Sequence, residues 1–233
     1  MQAEESSQQD DAPDGRRLRW TEHRAQRRDA FVAAGVAAVD RFGAGASAEQ
    51  IAEVAGVSRT VLYRYFRDRE DLRTAIADSV VRAVIDSVLP KLTITADATP
   101  HHIIGAAVDV IMGWLDEHPN LYHFLRSRRT GASLDSVEGT LADNVAALLK
   151  TIMVLFGIDS EKAEPGAYGI VGFVESVGSW WLEHRTISRD RLAAQITMGV
   201  WYLLQGTARE FGVELSLDEP LPLGAFAPQE TTA

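Results

Sequence analysis

The stretch that decides the fold is IAEVAGVSRTVLYRYFRDREDL, residues 51–72. It contains two short helical segments joined by a turn of about four residues, with Gly56 in the turn. Ser47 and Gln50 have the spacing of a capping box at the start of the first segment, and Ser58 is placed to cap the second. This pattern is typical of a helix-turn-helix, a motif that lays its second helix in the major groove of DNA.

The second segment has the pattern of a helix with one buried and one outward side. Val57, Leu62 and Phe66 have the spacing of a buried face. The outward side chains suit DNA, because arginine binds a guanine edge in bidentate fashion and threonine and valine methyls contact thymine. A helical corner without a DNA role is the alternative, but exposed tyrosine and valine on so short a helix disfavour it. The outward positions are Arg59, Thr60, Val61, Tyr63 and Arg64.

Helical periodicity continues on both sides of this motif, and strand signals are lacking. We therefore predict an all-α chain of nine helices. We predict a disordered acidic tail over 1–15, a DNA-binding head over 16–68, a helical body over 69–213 and an irregular tail over 214–233. Besides the two short segments, the predicted helices cover 20–42, 70–89, 100–117, 119–128, 134–156, 159–185 and 188–211.

Charge is unevenly distributed along the chain, whose net charge is −10. Residues 16–73 carry 12 arginines against 8 acidic residues, whereas residues 74–233 carry 11 basic against 20 acidic residues. A locally basic head meets the requirement for phosphate attraction, because only the docking face needs to be positive. The surplus of four charges is small, so a chance fluctuation is the alternative.

Several function classes lack their sequence signals. The chain has no cysteine, no HExxH, no phosphate-binding glycine loop and no GxSxG, and its six histidines lack metal-ligand spacing, so we expect neither an enzyme nor a metal or cofactor. No apolar run reaches the length of about 18 residues that a membrane span needs. The acidic N-terminus does not resemble a signal peptide. We expect a cytoplasmic protein that associates with the nucleoid when bound to DNA.

Residues 51–72 resemble the signature of the TetR family of bacterial regulators: a helix, a Gly-Val-Ser turn, a Leu-Tyr-x-Tyr/His-Phe recognition helix and a charged run into the fourth helix. The resemblance implies a three-helix DNA-binding head and a helical body that binds a small molecule and dimerises through its last two long helices. The implied function is that of a repressor that binds a palindromic operator as a homodimer and is released by a small, largely apolar ligand. A helical ligand-binding or interaction protein without sequence-specific DNA binding is the alternative, and a helical enzyme is a weaker one.

The resemblance also implies roles for individual residues of the head. The five outward positions match sites that contact bases or the nearby backbone, and Tyr65 and Arg69 match sites that hold phosphates; Ser47 and Ser58 complete the predicted DNA-binding set. Glu49 lies where some members have a base contact. Phosphate would repel its carboxylate unless it accepts from a cytosine amine, so Glu49 is left out of the set. The arginines of residues 16–28 resemble arms that other members lay on DNA, with a solvated flexible start as the alternative.

Small residues recur along the last two predicted helices. Three glycines in one helix cost it roughly 1 kcal/mol each relative to alanine, so we expect a packing reason for them. We predict that a second subunit approaches closely there, with packing inside one subunit as the alternative. The predicted dimer interface consists of Gly169, Gly172, Ser176, Ser179, Gly199 and Gly206.

Aromatic residues concentrate in the predicted body, where most are expected to be core. Asp109 and Glu175 interrupt apolar runs, and buried carboxylates need partners. A hydrogen bond inside a ligand pocket is one explanation, and solvent exposure or a dimer contact are the alternatives. The predicted pocket residues are Asp109, Trp114, Tyr122, Phe156, Phe173 and Glu175.

Overall fold

The computed structural model describes residues 15–92, 95, 97–127, 134–157 and 159–220, except for the side chains of residues 15–20, 134, 136 and 155. Within these ranges the predicted all-α fold of nine helices is confirmed. Short 3-10 helices lie at Leu89–Leu92 and Ser160–Lys162. The α-helices are α1 (Gly15–Phe42), α2 (Ala48–Val54), α3 (Arg59–Leu62), α4 (Arg69–Val88), α5 (Pro100–Glu117), α6 (Pro119–Arg126), α7 (Leu134–Leu155), α8 (Ala163–His184) and α9 (Arg189–Glu210).

Most helix ends follow from local chemistry. The side chains of Asp68, Thr99 and Ser188 each accept a hydrogen bond from a backbone N–H in the first turn of the helix that follows. Pro100 and Pro119 occupy first-turn positions, where the missing N–H costs no intrahelical bond. No helix within the described ranges is both long and apolar enough to span a membrane.

Two helix starts differ from the expectation. The first helix begins at Gly15 instead of residue 20, so Arg16, Arg17 and Arg19 also lie on α1 and not ahead of it. The eighth helix is predicted to start at a cap formed by Asp159 or Ser160. Asp159 accepts from the N–H of Glu161 and starts a 3-10 turn, and α8 begins only at Ala163. The division into head, body and tails stays a prediction, and residues 1–14 and 221–233 of the predicted tails lie outside the described residues.

The core forms two buried clusters. The first joins the head to α4, α6 and the start of α7, with Leu62, Phe66, Ile76 and Phe124 almost fully buried. Gly35 lets α4 approach α1, because a Cβ at this position would lie 2.4 Å from the Cδ1 atom of Ile76. The second cluster lies between α5, α8 and α9. Helix α4 therefore packs directly against the head as well as against the body.

The chain after α9 folds back over the body. The backbone N–H of His101 donates to the carbonyl of Leu217 at 3.0 Å, and its Nδ1 atom lies 2.9 Å from Oδ1 of Asp218. Exposure alternates along residues 213–218, and Leu215 and Leu217 pack against the second cluster. We call residues 213–218 the C-terminal strap.

Candidate DNA-binding face and ligand cavity

The helix-turn-helix is built by side chains that cap its two helices. Ser47 Oγ accepts from the N–H of Gln50 at 3.2 Å while Gln50 Oε1 accepts from the N–H of Ser47 at 2.8 Å, which completes the predicted capping box. Ser58 Oγ accepts from the N–H of Val61 at 3.4 Å. Gly56 adopts a φ of +66° after the end of α2, a conformation that glycine adopts without steric cost. Both serines of the predicted DNA-binding set therefore organise the motif itself.

The second helix of the motif is short, and its sides differ in burial. Leu62 and Phe66 are 0% and 2% exposed and anchor it in the first cluster. Regular α-helix ends at Leu62, and the chain continues as a tight turn in which the N–H of Tyr65 donates to the carbonyl of Leu62 at 3.0 Å. The five outward positions come together on this helix and turn: Arg59, Thr60 and Arg64 are exposed, and Val61 and Tyr63 are half-buried.

Arg59 does not point freely into solvent. Its Nη1 atom donates to Oε1 of Glu49 at 2.6 Å, and its guanidinium carbon lies 5.4 Å from the centre of the Tyr63 ring. The pKa of Glu49 is lowered, mainly because its carboxylate accepts a hydrogen bond from its own backbone amide. The positive charge of Arg59 lowers this pKa further. Residue spacing does not predict this pair, because its two residues belong to different helices.

The α1 arginines brace the motif. Arg24 donates to the carbonyl of Arg64 at 3.1 Å, and its guanidinium lies 5.6 Å from the centre of the Tyr65 ring. The Tyr65 ring in turn meets Phe31 edge-on at 5.0 Å. Arg24 and Tyr65 thus hold the turn after α3 against α1.

A second bracing contact joins α1 to α4. Arg28 Nη2 lies 3.4 Å from Oδ1 of Asp71, and its guanidinium lies 4.8 Å from the centre of the Phe66 ring. Asp71 also accepts a hydrogen bond from the backbone N–H of Arg67 at 2.9 Å. This bond is the main cause that lowers the pKa of Asp71, and the positive charges of Arg67 and Arg28 lower it further. The predicted phosphate-holding residue Arg69 is the exposed first residue of α4.

The body contains a cavity of about 510 Å³ lined by residues of α4 to α9 and of the C-terminal strap. Its wall is almost entirely aliphatic and aromatic. Of the predicted pocket residues, Trp114, Tyr122, Phe156 and Glu175 line it. The wall also holds Glu138 and Lys162, which sequence reasoning missed because a charged residue at helical spacing usually belongs to a solvated face.

Two predicted pocket residues lie elsewhere. Asp109 is exposed on α5, so its carboxylate is in contact with solvent. This agrees with the solvent-exposure alternative and not with a pocket role. Phe173 is absent from the cavity wall, and its ring packs against α9 at Gly199. Neither side chain therefore lines the cavity.

A hydrogen-bonded group lies at one side of the cavity. The hydroxyl of Tyr122 donates to Oε1 of Glu175 at 2.7 Å, and Arg126 Nη1 donates to the Tyr122 oxygen at 2.8 Å and also to Ser179 Oγ. Burial raises the pKa of Tyr122. Burial is the main cause that raises the pKa of Glu138, and the nearby negative charge of Glu175 raises it further. The site has the character of a binding cavity with a few polar anchors in an apolar wall.

Packing within one subunit explains two of the six predicted interface residues. Ser179 is 8% exposed and accepts the hydrogen bond of Arg126, and a Cβ at Gly199 would lie 2.6 Å from Cζ of Phe173. The small side chains at these two positions admit neighbours from the same chain, which is the alternative of packing inside one subunit. Gly169 borders the cavity, and Gly172, Ser176 and Gly206 are exposed.

An apolar stripe accompanies the exposed small residues. On α8, Tyr168 and Trp180 are 53% and 43% exposed, and on α9, Tyr202 and Leu203 are 62% and 47% exposed. Exposed side chains of this size on neighbouring helices form an uncommon surface for a monomer. Across the described ranges, no group of three or more His, Asp or Glu side chains could hold a metal ion.

Comparison with known proteins gives matches along the chain. The family profile described as "Bacterial regulatory proteins, tetR family" matches residues 32–76, and "Tetracyclin repressor-like, C-terminal domain" matches residues 90–214. An uncharacterized HTH-type transcriptional regulator of Mycobacterium tuberculosis is 31% identical over 215 residues, which cover 90% of this chain and 91% of the relative.

Solved structures share the fold. A tetR-family transcriptional regulator from Streptomyces coelicolor has a TM-score of 0.64 at 17% identity, with 80% of this chain and 83% of the other covered. The transcriptional regulator FadR from Bacillus subtilis, in complex with stearoyl-CoA, has a TM-score of 0.60 at 16% identity, with 76% of this chain and 97% of FadR covered.

Proposed function

Because the chain belongs to the TetR family of DNA-binding transcriptional regulators, we propose that it is a repressor that binds a palindromic operator as a homodimer. In this proposal a small, largely apolar ligand in the body releases it from DNA. The observation that carries the DNA-binding part is the capped helix-turn-helix, with the side chains of Arg59, Thr60 and Arg64 outward on α3 and its turn. The family consists of regulators and not of enzymes.

The homodimer is supported by the exposed stripe of α8 and α9. Tyr168, Gly172, Ser176 and Trp180 follow one another at four-residue steps on α8 and are all exposed. Such positions lie on one side of a helix, and the small residues among them allow another helix to approach. A twofold axis at this stripe would bring α8 and α9 of one subunit against α8 and α9 of its partner. The two heads would then be related by the same twofold symmetry as the half-sites of a palindrome.

The ligand class is supported by the cavity wall. Among the described residues its charged members are Glu138, Lys162 and Glu175, and the remaining surface is predominantly apolar. FadR from Bacillus subtilis, which shares the fold, has been solved with stearoyl-CoA. We propose that the cavity accepts a long acyl chain, whose transfer from water contributes about 0.8 kcal/mol per buried methylene group.

Coupling between ligand and DNA runs through α4 in this proposal. Val84 and Val88 line the cavity at the end of α4, and Ile76 packs against Gly35 of the head. A ligand that shifts the end of α4 therefore changes the position of the head. Ligand and operator then oppose each other through a coupling free energy, and each weakens the binding of the other by the same factor.

The DNA-binding part is tested by selecting bound fragments from the genome and measuring their affinity at two salt concentrations. We expect a preferred palindrome and a steep fall of affinity with salt. The variant Arg59→Ala should lose roughly 1–3 kcal/mol of discrimination at one base pair in each half-site. The matched control Arg82→Ala, an exposed arginine on α4, should keep the wild-type preference. Equal binding of all fragments by the wild type would refute the proposal.

The ligand part is tested by titrating the operator complex with stearoyl-CoA and, as control, with free coenzyme A. We expect release from DNA with stearoyl-CoA only. The cavity-filling variant Leu148→Trp should bind the operator but resist release, because Leu148 lines the cavity. Release by free coenzyme A, or unchanged release of Leu148→Trp, would count against an acyl chain in this cavity.

A further inference from the structure

We propose that Glu49 determines base specificity by holding Arg59 in the orientation that reads a guanine and by preventing Arg59 from serving as a general phosphate contact. The inference rests on the proposed docking of α3 in the major groove. A carboxylate on a DNA-binding face is unexpected, because phosphate repels it. Its contact with Arg59 gives this carboxylate a role.

The pair is fixed from both sides. Glu49 lies in the first turn of α2, which the Ser47 capping box holds, and Arg59 is the first residue of α3, which Ser58 caps. The Nη1–Oε1 distance is 2.6 Å, and the Tyr63 ring lies on another side of the guanidinium. Because both residues stand at capped helix termini, the backbone keeps the carboxylate and the guanidinium within hydrogen-bonding reach of each other.

The contact with Glu49 leaves other N–H donors of the Arg59 guanidinium available for a base. A guanidinium has five N–H donors, and the carboxylate of Glu49 is bonded to Nη1. Donors on the other nitrogens can bind O6 and N7 of a guanine, the commonest specific contact of arginine. The side chains of Arg59 and Glu49 are 59% and 61% exposed, so the pair lies on the accessible surface of the motif.

Stability does not explain the pair, since exposed ion pairs contribute little to folding. A carboxylate on the docking face also weakens attraction to every phosphate, in a head whose positive surplus is only four. An arginine without this partner could swing to a phosphate and bind any sequence. Glu49 therefore lowers affinity for all DNA and lowers it least where a guanine meets Arg59.

The test compares Glu49→Gln with the wild-type dimer on the selected operator, on operators changed at each base pair and on random DNA. We expect Glu49→Gln to bind random DNA more tightly, and its discrimination at the base pair read by Arg59 to fall about tenfold. The matched control is Glu53→Gln, an exposed glutamate on the same helix, which should keep wild-type discrimination. Glu49→Asp keeps the charge on a shorter side chain and should lie between Glu49→Gln and the wild type.

The double variant Glu49→Gln/Arg59→Ala separates the outcomes. If Glu49 acts through Arg59, adding Glu49→Gln to Arg59→Ala leaves base discrimination unchanged. Wild-type discrimination in Glu49→Gln, together with its loss in Arg59→Ala, would overturn the role of Glu49 and leave the docking of α3 intact. Wild-type discrimination in both single variants would overturn the docking itself.

Discussion

Replacing Gly199 with alanine would put a methyl group 2.6 Å from Cζ and 2.7 Å from Cε1 of Phe173, on the inner side of α9. Carbon atoms in ordinary contact lie about 3.5–4.0 Å apart, so the ring has to move by about 1 Å. The same substitution at Gly206, seven residues further along α9, meets no atom within 4 Å. These two glycines therefore form a matched pair that differs in surroundings and not in helix or chemistry.

The expected size follows from two opposing effects. Overpacking of this kind costs about 1–3 kcal/mol, whereas exchanging glycine for alanine inside a helix gains about 1 kcal/mol. Within a single subunit Gly206→Ala has only the gain, so at protein concentrations where both variants are monomeric its free energy of unfolding should exceed that of Gly199→Ala by about 1–3 kcal/mol. For a chain of this length, each kcal/mol corresponds to about 2–4 °C in Tm.

Urea unfolding at several protein concentrations, with sedimentation to follow the oligomer, measures this difference, because a dimer makes apparent stability depend on concentration. Phe173→Leu should relieve the strain, so the cost of Gly199→Ala should shrink in that background. Equal stability of Gly199→Ala and Gly206→Ala, or a cost that Phe173→Leu leaves unchanged, would refute packing within the subunit as the reason for Gly199.

Three further substitutions test polar contacts by urea unfolding across pH. Glu138→Gln should be more stable than the wild type at pH 7. The raised pKa of Glu138 means that ionisation of this side chain destabilises the folded state as pH rises above 4.5, and the glutamine does not ionise. The gain in stability should therefore vanish below pH 4.5. Asp71→Asn should lose about 1 kcal/mol at pH 7, and this loss should disappear as pH falls below 3.8 and through the lowered pKa of Asp71. Tyr122→Phe should cost about 1–2 kcal/mol at pH 7, because Glu175 loses its hydrogen-bond donor. An Asp71→Asn loss that persists unchanged at pH 2, or a Glu138→Gln variant weaker than the wild type at pH 7, would contradict these assignments.

The features that the sequence predicted well depend on neighbours along the chain. The capping box at Ser47, the cap at Ser58 and the buried face with Leu62 and Phe66 all follow from spacings of a few residues. Proline and glycine also mark helix ends locally. The order of nine helices was therefore accessible without knowledge of their packing.

The features that escaped prediction depend on how distant helices meet. A glycine row on α9 has the same pattern whether it faces a partner or, as at Gly199, the Phe173 ring of its own subunit. Asp109 interrupts an apolar run as Glu175 does, yet only Glu175 reaches the cavity. The pairing of Glu49 with Arg59 likewise requires the angle between α2 and α3, which residue spacing does not encode.

The C-terminal strap offers a place for a single fluorescent label. Leu215 forms part of the cavity wall, while the adjacent Ser216 faces outward. The chain contains no cysteine, so Ser216→Cys would introduce the only thiol of the molecule and a maleimide dye would attach there alone. A dye one residue from the wall would respond when the cavity fills, and the natural fold would become an optical sensor for its own occupant without further engineering.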